Sequence, residues 1–160
     1  MKKIIFILIF AISTTFSFAL EIGDKAPNFK VQFSDGKQVS LSAYKGKYLF
    51  LHFWATWCGP CRKELPELQQ FYQSLSPSSN IQFLAICISD SKKNMDSFMN
   101  KNKFTFPTAL DESGFLVALP YDVQAIPVSI IINPEGKIEK QVIGMMSPKA
   151  LQNFVKDYVN

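Results

Sequence analysis

The chain has 160 residues, of which 48% are hydrophobic and 19% charged, and these proportions suit one globular domain with a sizeable core. Its formal net charge is +4, and Lys2 and Lys3 supply half of it, so residues 20–160 carry only +2. A surplus this small excludes a charge-driven role in binding nucleic acid or an anionic membrane surface.

The first 19 residues are typical of a targeting segment. Two lysines precede an apolar run over 4–12, and the small residues near the end of the segment fit signal-peptide cleavage after Ala19. The alternative is an uncleaved membrane anchor formed by residues 4–20, a stretch nearly long enough to span a bilayer. In both cases we expect the domain at 20–160 to be periplasmic or otherwise exported, soluble after cleavage or membrane-anchored.

A β-hairpin is predicted ahead of the central strands. Residues Phe29–Phe33 alternate between apolar and polar, Ser34–Lys37 supply a turn, and the alternation resumes at Val39 and Leu41. We therefore expect two short antiparallel strands before the main sheet begins.

The central motif joins an apolar strand to a helix through two cysteines. The run Tyr48–Trp54 predicts a buried strand, and Cys58-Gly59-Pro60-Cys61 follows it where a helical pattern begins. Cysteines three residues apart in a first helical turn lie close enough to form a disulfide. Unpaired N–H groups and the helix dipole favour a thiolate at Cys58, the predicted nucleophile, with the more shielded Cys61 as the resolving thiol.

The remaining elements follow from apolar spacing and from cap and turn residues. The helix after the motif is expected to kink at Pro66. A second helix begins at the cap residue Ser91 and the last one at Ser147-Pro148. The other predicted elements are, in chain order, a strand over Ile81–Ile88, an extended stretch over Phe104–Leu110, a short helix over Glu112–Leu119, a strand over Ile126–Ile132 and, after a turn, a strand over Lys137–Ile143.

Residues Trp57 to Cys61 reproduce the Trp-Cys-Gly-Pro-Cys signature of the thioredoxin superfamily, which the sequence resembles. The N-terminal segment Gly23–Phe29, together with Asp35-Gly36 and Leu41-Ser42, is similar to the N-terminal segment of TlpA/ResA-like thiol-disulfide oxidoreductases. Peroxiredoxins begin with a similar segment. The resemblance implies an α/β thioredoxin fold, a central mixed β-sheet flanked by helices, with an N-terminal β-hairpin extension and a central insertion. It covers essentially all of residues 20–160 and implies no cofactor and no metal.

The resemblance also implies a substrate-binding surface beside the cysteine pair. Pro127 matches the superfamily's cis-proline, which packs opposite the cysteines and exposes backbone groups to a substrate strand. Ile126 then borders the substrate groove, and Trp57, Gly59 and Pro60 are the expected substrate-binding residues of the motif itself.

Three ionisable residues near the motif need separate interpretations. Asp90 stands where TlpA/ResA-like proteins carry an acidic residue. It is expected either to lie beside Cys61 with a raised pKa and take its proton, or to cap the next helix with Ser91. His52 occupies the strand position of a buried acid in classical thioredoxins, and we expect a hydrogen-bonded structural histidine. Cys87 is expected to act as a small buried hydrophobe.

The leading hypothesis is an exported, monomeric thiol-disulfide oxidoreductase that reduces protein disulfides. The resemblance extends to the CcmG-like group, which implies cytochrome c maturation, apocytochrome c as one candidate substrate, and a membrane thiol donor that regenerates the dithiol. The Gly-Pro dipeptide is that of thioredoxin, whose potential of about −270 mV favours reduction over oxidation.

Three other functions fit the cysteine pair less well. A peroxiredoxin-type peroxidase would need a threonine three residues before the nucleophile, where Ala55 stands. A Cu(I)-binding chaperone of the Sco type uses a wider cysteine spacing and a distal histidine. A zinc site would need a second ligand pair, for which only Cys87 and His52 remain.

Glu64 and Glu67 follow the cysteine motif in the same predicted helix. They lie one helical turn apart and are expected to be solvent-exposed.

Overall fold

A computed structural model describes residues 20–159, so the predicted signal peptide at 1–19 lies outside the described residues. Within this range, none of the helices is long and apolar enough to cross a membrane. The elements are, in chain order, strands β1 (Lys30–Phe33) and β2 (Gln38–Ser40), a 3-10 helix (Leu41–Tyr44), strand β3 (Tyr48–Trp54), helix α1 (Gly59–Ser74), strand β4 (Ile81–Ile88), helix α2 (Lys92–Asn102), strands β5 (Thr108–Asp111), β6 (Val128–Ile132) and β7 (Ile138–Ile143), and helix α3 (Pro148–Val155).

The seven strands form one mixed sheet in the order β2-β1-β5-β4-β3-β6-β7. The parallel strands β3 and β4 lie at its centre because both are continuous apolar runs that are buried on both faces. β6 pairs antiparallel with β3, and β7 with β6. The predicted thioredoxin fold with its N-terminal hairpin is confirmed, since β1 and β2 pair antiparallel and join the sheet through β5.

Side chains of β3 alternate between two cores on opposite faces of the sheet. Phe50 and Trp54 belong to the core that contains buried residues of all three helices. Leu51 and Phe53 belong to the other core, which is closed by the N-terminal residues and by the segment 112–126. All three helices therefore contribute to one face, and the opposite face has a cover of turns.

The predicted short helix over Glu112–Leu119 is wrong, because the segment forms turns. Gly114 has a φ of +76°, which a right-handed helix does not allow. The buried Asp111 carboxylate accepts hydrogen bonds from the N–H groups of three residues at 2.8–3.2 Å, and these bonds fix the segment in place; the donors are Leu116, Val117 and Ala118. A carboxylate thus binds N–H groups that a helix would have paired internally.

Two smaller details concern a proline and a strand end. Helix α1 contains Pro66 and continues past it to Ser74, which leaves the kink predicted there as a prediction. β2 stops at Ser40, and Leu41 starts a 3-10 turn instead of extending the strand. The predicted caps are confirmed, since Ser91 and Ser147 accept hydrogen bonds from the backbone of α2 and α3.

Candidate active site

The two motif cysteines meet at the N-terminus of α1. Cys58 is the N-cap residue, and Cys61 lies in the first turn, with its backbone N–H donating to Cys58 Sγ at 3.2 Å. The sulfurs form a disulfide with a Cα–Cα distance of 5.3 Å. Cys58 is 5% exposed and Cys61 fully buried. The predicted disulfide is confirmed, and the N-cap position gives Cys58 the helix N–H groups that stabilise a thiolate.

A groove of about 490 Å³ opens beside Cys58. The predicted residues Trp57, Gly59, Pro60 and Ile126 all line it. Cys58 Sγ lies 3.7 Å from the carbonyl oxygen of Ile126, and the Ile126–Pro127 peptide bond is cis, as expected. The structure thus brings the predicted substrate-binding residues together on one side of the disulfide.

Part of the groove wall was not predicted from the sequence. Val123, Gln124 and Ala125, from the segment that was expected to follow a short helix, line the groove opposite the motif. Ser89, also in the wall, has a positive φ of 49°, and its carbonyl accepts a hydrogen bond from the Trp57 indole N–H at 3.0 Å. This bond holds Trp57 in place although 61% of that residue is exposed.

The prediction of a raised pKa at Asp90 beside Cys61 is wrong. Partial burial acts to raise the pKa of Asp90, but hydrogen bonds from Thr56, Asn94 and Ser91 outweigh it and hold the pKa below its ordinary value. The Thr56 backbone N–H and hydroxyl donate to Asp90 Oδ2 at 2.8 and 2.6 Å. Asp90 therefore anchors the loop that precedes Cys58.

The alternative interpretation of Asp90 as a helix cap is only partly right. Ser91, not Asp90, is the N-cap of α2, and its hydroxyl accepts from the Asn94 backbone N–H. Asp90 Oδ1 accepts from the Asn94 side chain at 3.0 Å and from the Ser91 N–H at 2.8 Å. One carboxylate thus ties the start of α2 to the active-site loop.

The prediction that Glu64 is solvent-exposed is wrong, since it is 1% exposed. Its Oε1 accepts a hydrogen bond from the Met146 N–H at 3.2 Å, and Oε2 has no partner within 20–159. Burial raises the pKa of Glu64 to about 7, against the opposing effect of the Met146 bond. Helical spacing could have revealed it, because Glu64 lies three residues after Cys61 and four before Leu68, both on the buried face.

His52 is a buried, hydrogen-bonded residue, as predicted. Its Nδ1 lies 3.0 Å from Ser129 Oγ, and burial lowers the pKa of His52 to about 3, so the ring is neutral. Cys87 is fully buried, and its pKa is raised by burial and by the nearby Asp90 carboxylate. The thiol of Cys87 therefore stays protonated and unreactive.

The arrangement is suited to two-electron thiol chemistry. A partly accessible cysteine lies at a helix N-terminus, a buried second cysteine lies within disulfide distance, and a groove for a partner chain opens beside the first. In the part of the chain that the structure describes, no group of three or more His, Cys, Asp or Glu side chains is placed to hold a metal ion.

Comparisons with known proteins agree with this chemistry. The sequence matches the AhpC/TSA family over residues 22–141. It is 38% identical over 138 residues to thiol-disulfide oxidoreductase ResA of Bacillus subtilis (strain 168), across 86% of this chain and 74% of ResA.

Solved structures give the same result. The crystal structure of StoA from Bacillus subtilis matches with a TM-score of 0.70 and 34% identity, covering 81% of this chain and 96% of StoA. The exposed lipoprotein thioredoxin of Streptococcus pneumoniae strain TIGR4 matches with a TM-score of 0.71 and 28% identity, over 82% and 99% of the two chains. The chain therefore belongs to the TlpA/ResA-like thiol-disulfide oxidoreductases of the thioredoxin superfamily.

Proposed function

We propose that this oxidoreductase is an exported reductant of protein disulfides, in which Cys58 attacks the substrate and Cys61 resolves the mixed disulfide. The observation that carries the proposal is the difference between the two cysteines. Cys58 caps α1, borders the groove and receives the Cys61 N–H, whereas Cys61 is fully buried. Only Cys58 combines access to a substrate with stabilisation of its thiolate.

The reaction proceeds in two displacements. The Cys58 thiolate attacks one sulfur of a substrate disulfide, a mixed disulfide forms, and the other substrate sulfur leaves as a thiolate. Cys61 then loses its proton and attacks Cys58 Sγ, which releases the second substrate thiolate and forms the Cys58–Cys61 disulfide. The substrate gains the two electrons that the enzyme dithiol loses.

Glu64 is the proposed acceptor of the Cys61 proton. It lies one helical turn after Cys61 on the buried face of α1, where a base can serve a thiol that solvent does not reach. A pKa of about 7 lets the carboxyl both take and release a proton near neutral pH.

The groove supports binding of an extended segment of substrate. Trp57, Pro60 and Ile126 give it apolar walls, and the backbone of Ile126 lies against Cys58. Main-chain groups on the cis-proline side can pair with a substrate strand independently of its side chains. Such a site accepts many proteins whose disulfide is exposed on a flexible segment.

Export, the reductant role and the partners are further parts of the proposal. The targeting segment at 1–19 supports export, as does similarity to a relative named an exposed lipoprotein. The Gly59-Pro60 dipeptide of thioredoxin supports a reducing potential. Disulfides of apocytochrome c are one candidate substrate class, and a membrane thiol donor would restore the dithiol of the monomeric enzyme.

Trapping tests the order of the cysteines. A Cys61→Ser variant should accumulate mixed disulfides on Cys58 with a model disulfide peptide, whereas the matched Cys58→Ser variant should accumulate none. Trapping by Cys58→Ser alone would reverse the assignment. Equilibration of the wild-type protein with glutathione tests the direction, and a potential close to the −120 mV of a strong periplasmic oxidant would overturn the reductant role.

A further inference from the structure

Two buried polar atoms lack a hydrogen-bond partner among the described residues, His52 Nε2 and Glu64 Oε2. The other polar atom of each side chain is bonded, Nδ1 with Ser129 Oγ and Oε1 with the Met146 N–H. Neither residue is more than 1% exposed. An unpaired buried polar atom destabilises the folded protein, so the presence of two calls for an explanation.

Both side chains enter the core between the sheet and its helices. His52 lies on the same face of β3 as Phe50 and Trp54, and its ring stands edge-on to that of Phe50 with centroids 6.4 Å apart. Glu64 lies on the buried face of α1 next to Leu65, and its partner Met146 belongs to the same core. The imidazole from the sheet and the carboxyl from the helix therefore share one apolar layer with Cys61.

The hydrogen-bonding capacities of these groups are complementary in both states of the carboxyl. A protonated Glu64 can donate to His52 Nε2 while Nδ1–H donates to the Ser129 hydroxyl. An ionised Glu64 can accept from Nε2–H while the Ser129 hydroxyl donates to Nδ1. A serine hydroxyl can donate or accept a hydrogen bond. A change of tautomer at His52 therefore leaves Glu64, His52 and Ser129 all hydrogen-bonded.

We propose that Glu64, His52 and Ser129 form a hydrogen-bonded chain, closed through one water between Oε2 and Nε2, that holds the proton released by Cys61. The inference rests on the proposed function, since it starts from Glu64 as the acceptor. When Cys61 loses its proton, Oε2 gains it and becomes the donor toward Nε2. The single proton of the neutral ring then resides on Nδ1, which donates to Ser129 Oγ, so the number of protons on His52 does not change. His52 stays neutral throughout and is a positioning residue, not a base.

The other titratable groups of this layer do not accept the proton from Cys61. They are Cys61 of α1, Cys87 of β4, and Lys140 of β7 with Asp157 and Tyr158 at the outer edge. The Cys87 thiol has a raised pKa and stays neutral. Lys140 pairs with Asp157 and lies over the Tyr158 ring, which packs on Tyr48 at the first residue of β3. Glu64 is thus the group whose charge changes near pH 7 in this layer.

The tautomer can be observed directly because His52 is the only histidine of the chain. The experiment is ¹⁵N NMR of imidazole-labelled, oxidised protein between pH 5 and 9, with Glu64→Gln as the test variant and Glu67→Gln as the matched control. In the wild type and the control, Nδ1 and Nε2 should exchange their pyridine-like and pyrrole-like shifts with a midpoint near pH 7. In Glu64→Gln both shifts should stay constant.

Two results would overturn the inference. Constant shifts in the wild type would show that His52 does not respond to Glu64, and convergence of both shifts on one imidazolium-like value at low pH would show that the ring itself takes the proton. Neither result touches the proposed function, because trapping by Cys61→Ser is independent of His52. Failure of that trapping would refute the proposed function whatever the histidine spectrum shows.

Discussion

Replacing Glu64 with Gln should make the oxidised protein more stable at alkaline pH while slowing its chemistry. Burial moves the pKa of this carboxyl from its ordinary 4.5 to about 7. The folded protein therefore holds one more proton than the unfolded chain between these two values. The stability that the group contributes is fully present below pH 4.5 and is lost as pH rises through about 7.

The magnitude follows from the size of this interval. Each pH unit is worth about 1.4 kcal/mol, so the ionised carboxylate costs the folded protein up to about 3 kcal/mol above pH 7. Gln keeps the shape of Glu and an oxygen for the Met146 N–H, but it carries no charge. We therefore expect Glu64→Gln to exceed the wild type by up to about 3 kcal/mol at pH 8 and to match it within about 1 kcal/mol at pH 4.5.

Urea unfolding of the oxidised proteins measures this difference. Both proteins keep the Cys58–Cys61 disulfide, so the comparison isolates the side chain at position 64. Glu67→Gln, at a half-buried position of the same helix, is the control and should stay close to the wild type at both pH values. A difference between wild type and Glu64→Gln that does not grow from pH 4.5 to 8 would refute the reasoning.

Three other predictions test the site and its support. In the reduced protein, Cys58 should be alkylated first, with a pKa below the free value of about 8.5 because it caps α1; modification of Cys61 ahead of it would contradict this. Asp90→Ala should destabilise the protein by about 2 kcal/mol, because it leaves the Thr56 N–H and hydroxyl without their acceptor, and chemical denaturation at pH 7 measures the loss. Asp111→Ala should release three N–H groups and speed amide exchange over residues 116–118, and unchanged exchange there would show that the carboxylate does not hold the segment.

Features with a local physical cause were predictable from the sequence. The apolar runs of β3 and β4 could only be buried strands, and the cap residues Ser91 and Ser147 began their helices as expected. The cysteine spacing led directly to the observed disulfide. In each case the residues themselves determine the structure, with little help from the rest of the fold.

The predictions failed where contacts distant in sequence decide the outcome. The carboxylate of Asp90 gains its strongest bonds from Thr56, 34 residues away, and these reverse the expected direction of its pKa. Glu64 was assigned to solvent because it is charged, but the backbone near α3 covers it and supplies its hydrogen bond. The tertiary structure, not the local sequence pattern, determines the burial and the pKa of both carboxyl groups.

The one-sided placement of the helices gives the substrate groove two walls of different stiffness. One wall is the first turn of α1, where the Cys58–Cys61 disulfide and the buried Cys61 side chain hold the backbone in place. The other wall, residues 123–126, follows the turns that cover the opposite face, where few backbone groups are paired in regular structure. Opening there requires less free energy and leaves the sulfurs undisturbed. The substrate groove can therefore change shape to bind proteins of different sequence, while the two cysteine sulfurs keep the same relative positions.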